Sequence, residues 1–176
     1  MDKAIIAGLV EFGIVASMQP AFDRLWGGER QMYAARLGIE RSLASNPMGA
    51  MHGVGVALAF GSDSPVTPLD PWGSVRAAMW HFNPVHRMNA RAAFAAHTRG
   101  GWRAVRLDDG ALVPGAPATL AVWSTPAGLA QTGLPVLEPA QPLPVCHRTM
   151  LRGTTIFETE SESSESEEER ETQPSP

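Results

Sequence analysis

Asp63 stands in Gly61-Ser62-Asp63-Ser64-Pro65, directly after the unbroken apolar run Val56-Ala57-Leu58-Ala59-Phe60. Consecutive apolar residues suit a strand covered on both faces. Gly61 permits tight backbone geometry and Pro65 stops the strand. A single carboxylate thus falls just past the carboxyl end of a buried strand, where barrel and open α/β folds place their chemistry. Three roles suit such an Asp: metal ligand, general base, or cap of the helix that follows.

The other chemistry-bearing residues are scattered. His81 and His86 are five apart with Pro84 between them, which breaks helical register and makes them poor joint ligands. His97 lies in an alanine-rich stretch and reads as a packing or hydrogen-bonding residue, while His147 falls in a later β-rich region. His52 precedes the strand at 56–60, the wrong end for chemistry. A triad of Ser62, His97 and Asp63 fails because adjacent Ser62 and Asp63 point differently. Cys146 is the single cysteine, so it forms no internal disulfide and no thiolate metal site. The five tryptophans read as packing anchors, since no basic stripe accompanies them.

The elements that must position Asp63 follow from periodicity. Residues 2–13 read as a helix, with Ile5, Ile6, Leu9, Val10 and Phe12 as its apolar face and Gly13 as its stop. Residues 14–18 read as a second short buried strand, ended by Gln19-Pro20. Residues 21–28 look loop-like, 31–45 helical, and 48–54 a short helix leading into the strand at 56–60. A proline-bearing loop at 67–72 precedes helices over 73–82 and 89–104, the latter interrupted at Gly100-Gly101. Buried strands in series with helices imply parallel pairing. From Val105 the texture becomes β-like: an Asp109-Gly110 turn between extended segments, a strand over 119–123, a proline-rich run, and one or two strands over 145–157.

The chain has 176 residues, 44% of them hydrophobic, which is ordinary for a globular protein. No apolar run reaches the length of about 18 residues that a membrane span needs. Asp2 and Glu11 spoil the N-terminus as a signal peptide, so the expected location is cytoplasmic. The net charge of −4 belongs to the end of the chain: from Phe157 onward there are eight Glu and one Arg, and the rest carries about +3. Its arginines are dispersed, so no nucleic-acid partner is expected. Residues 158–176 contain no apolar residue and read as a disordered acidic tail.

Several motifs, in order, resemble the C-terminal part of a metal-dependent amidohydrolase of the family 3 branch. Val15-Ala16-Ser17-Met18-Gln19-Pro20 is similar to that family's penultimate barrel strand and its Gln-Pro turn. The Gly61–Pro65 segment and its preceding strand are similar to the last barrel strand with its Asp, and residues 93–102 to the helix that follows. Residues 110–123 resemble the Gly-x-Leu-x-Pro-Gly signature that returns the chain to a β-sandwich domain.

The resemblance implies an α/β chain: the last strands and helices of a (β/α)8 TIM-type barrel over 1–104, then a β-rich segment of a composite β-sandwich over 105–157. It implies hydrolysis of carbon–nitrogen bonds other than peptide bonds by water activated on a divalent metal, usually zinc. Asp63 would carry the water's proton to the leaving group and could also touch the metal, with Gln19, Ser62 and Ser64 beside it as substrate or supporting contacts. The sequence departs from the family in having no His-x-His pair, a single lysine (Lys3), and Phe22 where a His often follows the Gln-Pro turn. The expectation is therefore an incomplete chain, inactive by itself, that would take a small-molecule substrate once completed. The alternative is a non-catalytic fragment, or a subunit whose barrel a second chain completes; the sheet edge at 14–18 would then seek a partner.

Overall fold

The computed structural model describes residues 3–159 as two units. One runs to Ala116 and adds Thr125–Pro144; the other joins Pro117–Ser124 to the chain from Val145 onward. From residue 160 the acidic tail lies outside the described residues.

In the first unit, α1 (Lys3–Glu11) leads to β1 (Ala16–Met18). Next come α2 (Pro20–Trp26), α3 (Met32–Leu37), α4 (Ile39–Leu43) and α5 (Met48–Gly53), then β2 (Leu58–Phe60). After β2 follow α6 (Pro71–Met79), a 3-10 turn (Pro84–His86), α7 (Ala90–His97) and α8 (Arg99–Ala104). β1 and β2 pair in parallel, Ala16 with Leu58 and Met18 with Phe60. All three β2 residues are buried, as their apolar types require. Helices α7 and α8 pack on β2. The core gathers Met48 and Met51 of α5, the β2 residues, Val75, Ala77 and Ala78 of α6, and Ala93 and Ala96 of α7.

Four local expectations change. Residues 21–28 are not a loop but mostly helix α2, because Pro20 occupies the first helical position with its φ already suited to a helix. The helix expected over 31–45 is two, split at Gly38, whose φ of +85° no helix can continue. The break expected at Gly100-Gly101 falls at Thr98 instead, whose hydroxyl donates back to the Phe94 carbonyl at 3.1 Å. Gly100 serves another purpose: a Cβ there would stand 2.3 Å from the Leu58 carbonyl oxygen, so its lack of a side chain lets α8 lie against β2. The extended segments expected around Asp109-Gly110 do not form among the described residues; Gly110 (φ +82°) packs on the Trp102 ring instead.

The second unit is an antiparallel sheet of β3 (Leu120–Ser124), β4 (Val145–Leu151) and β5 (Thr154–Glu158), in the order β3-β4-β5. Arg152 and Gly153, with φ of +50° and +84°, close the β4–β5 hairpin, since a turn with two positive φ values follows the right-handed twist of the strands. Among the described residues no helix is long and apolar enough to cross a membrane.

Candidate functional site

The parallel register decides what meets at the carboxyl ends of β1 and β2. Met18 pairs with Phe60, and the Gly61 N–H donates to the Met18 carbonyl at 3.1 Å, so the ladder extends one residue beyond β2. Gln19 and the turn from Gly61 to Pro65 therefore leave the sheet side by side. Gln19 is half-buried and stands at the start of α2, making no side-chain cap bond. Ser62 is half-buried; its hydroxyl accepts the Ser64 N–H at 3.2 Å and its carbonyl accepts the Thr67 hydroxyl. Ser64 is exposed.

Asp63 is exposed, with φ of +55°, a left-handed conformation that Asp tolerates better than most residues. Its carbonyl accepts the Val66 N–H at 2.8 Å, which closes the turn. Among the described residues no hydrogen bond or ion pair reaches its carboxylate. Of the three roles open to this Asp, the structure gives the cap to another residue: Asp70 accepts the Gly73 N–H at 2.8 Å at the start of α6. The imagined triad is not assembled. His97 packs edge-on against Phe60 with ring centroids 5.5 Å apart, and its Nε2 is buried without a hydrogen bond. Burial pushes its pKa down to about 4, so the ring is neutral.

Sequence reasoning missed two features of this region. The first is a cleft of about 260 Å³ between α2, the turn after β2, and α6. Arg24 and Leu25 of α2, Ser62 and Thr67 of the turn, and Asp70, Ser74, Arg76 and Trp80 on or beside α6 line it. Ser74 is 3% exposed and its hydroxyl has no partner, an arrangement that costs about 1–3 kcal/mol while it lasts.

The second is a buried acid–base pair. Asp23 (α2) and His81 (after α6) are 1% and 0% exposed, with Oδ1 and Nε2 3.1 Å apart though not aligned as a hydrogen bond. Asp23 Oδ2 accepts the Phe82 N–H at 3.1 Å, and His81 Nδ1 accepts the Asn83 N–H at 2.9 Å. Loss of water raises the Asp23 pKa and lowers that of His81, so burial disfavours the charged form of each. His86 lies edge-on to His81 with centroids 5.2 Å apart, despite the proline between them in sequence. The available signal was Asp23 in the first turn of a helix starting at Pro20, legible only to a reader who had already placed that helix.

His52 is exposed on α5, and His147 of β4 is exposed with its Nδ1 3.2 Å from the Thr159 hydroxyl. Among the described residues no three His, Cys, Asp or Glu side chains converge where they could hold a metal ion.

A solved structure of an uncharacterized metal-dependent hydrolase from Pyrococcus furiosus is similar to this chain, with a TM-score of 0.58 and 26% identity over 67% of the chain. The chain spans 25% of that protein's length. No curated protein matches the chain. The family model described as "Amidohydrolase family" matches residues 2–157, nearly all of what the structure describes, and the chain belongs to the amidohydrolase family.

Proposed function

We propose that this chain supplies the proton-transfer corner of a hydrolase that cleaves carbon–nitrogen bonds other than peptide bonds. The observation that carries the reading is the unpartnered carboxylate of Asp63, held just past the end of β2 and beside the end of β1. A carboxylate so exposed can take a proton from an attacking water and return it to a departing amine. Gln19, Ser62 and Ser64, around the same end of the sheet, orient the substrate. The family and the metal-dependent neighbour support hydrolysis, and the resemblance points to a divalent ion, zinc above others. The described residues do not fit such an ion unaided: Asp63 is a single candidate donor, and no further His, Cys, Asp or Glu pair converges with it. We therefore read the two parallel strands as the closing part of a (β/α)8 barrel and the second unit as part of a β-sandwich, with the ion-holding groups elsewhere in the assembled enzyme.

The isolated 176-residue chain is then inert. Elemental analysis of purified protein should find far less than one metal ion per chain, and simple amides and N-acyl compounds should not turn over. Stoichiometric zinc accompanied by turnover would overturn the claim of inertness. An in-frame continuation upstream of Met1 carrying a His-x-His pair would support the catalytic reading; in the joined protein, Asp63→Asn should lower kcat about 100- to 10,000-fold.

A second reading, a non-catalytic subunit that completes its barrel with another chain, is favoured by α1. No residue of that helix is buried, and Ile5 and Val10, with Phe12 just beyond its end, face solvent. A separate gene encoding the earlier βα units would support it.

A further inference from the structure

We propose that the cleft between α2 and α6 holds the carboxylate of a monoanionic substrate, with Arg24 as its charge partner and Ser74 as a buried donor. This names the substrate class for the hydrolase reading above and rests on it.

The unfilled hydrogen-bonding capacity around the cleft is mostly of the donor kind. The Arg24 guanidinium makes no hydrogen bond or ion pair among the described residues. Arg76 spends one N–H on the Gln141 carbonyl, at 2.9 Å, and keeps the rest. Ser74 lines the cleft, and its hydroxyl is buried and unpartnered. The Ser62 hydroxyl accepts from the Ser64 N–H and so retains its own proton to give. Trp80 is already engaged, donating its indole N–H to the Leu137 carbonyl at 3.1 Å. The one acidic group on the wall, Asp70, has an oxygen committed to the Gly73 N–H. A buried donor without an acceptor is a standing cost, which an incoming acceptor removes.

Charge narrows the ligand. Two guanidinium groups against one carboxylate leave a single positive charge, which suits a monoanion better than a dianionic phosphate. A guanidinium also matches a carboxylate in its two-pronged geometry. Location links the cleft to the chemistry. Ser62 lines it, in the same turn that carries Asp63, so the cleft opens at the end of the sheet where the proton-transfer group stands.

The test uses the full chain and two probes of nearly equal shape, butyrate and butyramide, followed by amide chemical shifts. Butyrate should shift the Ser62, Gly73 and Ser74 resonances with an affinity at least tenfold above butyramide. The preference should weaken as salt is raised. Arg24 is exposed, so Arg24→Gln should fold normally, checked by the remaining resonances, and should bring the two probes within about twofold of each other. Ser74→Ala should weaken butyrate more than butyramide. Equal binding of acid and amide by the native chain, an undiminished preference in R24Q, or inorganic phosphate binding more tightly than butyrate would each overturn the proposal. No turnover enters this measurement, so its failure leaves the role of Asp63 standing. Conversely, a joined enzyme in which D63N leaves turnover intact while butyrate is still preferred would sink the Asp63 reading and leave this one standing.

Discussion

His97 makes folding sensitive to acid. Its pKa is about 4 in the folded chain against an ordinary 6.5, so between those values the unfolded chain binds the extra proton. Stability is therefore complete above pH 6.5 and drains away as pH falls toward 4, by at most about 3 kcal/mol. Burial shifts His81 and His86 the same way, while Asp23, raised by burial, acts with the opposite sign and flattens the slope. His97→Gln should lose part of the native drop in thermal midpoint between pH 7 and 4.5, followed by circular dichroism; an unchanged drop would assign the acid sensitivity elsewhere. At this scale the sequence was legible where a motif was local. The position of Asp63 after an apolar run could be read directly. The meeting of Asp23 with His81, separated by four helices and a strand, could not, because no short-range pattern encodes which side chains burial will press together.

Helices are where glycine and caps set the geometry of this end of the sheet. Gly100 and Gly101 are neighbours in α8 with opposite surroundings: a methyl at 100 would meet the Leu58 carbonyl, whereas at 101 nothing lies within 4 Å. Gly100→Ala should destabilise by about 1–3 kcal/mol, and Gly101→Ala should stabilise by about 0.5–1 kcal/mol, in urea titrations. Equal effects would mean α8 does not rest on β2 as described. Asp70→Ala removes the cap of α6 and should cost about 1 kcal/mol. The strands and most helices were readable from apolar periodicity, and the parallel pairing from their alternation. Helix α2 was not: seven residues are too few to show a helical period, and its start depends on how Pro20 is used. The glycine pair was visible as a breaker, but its packing against a strand distant in sequence was not.

For the molecule as a whole, the exposed apolar residues at the beginning of the chain matter most. If a second chain covers α1, light scattering should show a mass that rises with protein concentration, and Phe12→Ser should hold it nearer one chain. A concentration-independent monomer would remove the support for that reading. The first unit also contains a built-in brace. Asp23 accepts the Phe82 N–H and packs 3.1 Å from His81, so the helix leaving β1 is fastened to the segment that follows α6. The two walls of the arginine-bearing crevice consequently keep a constant gauge. If the crevice takes the guest proposed above, one of the wrong width could enter only by unseating that contact, and Asp23 would set selectivity by size without touching it.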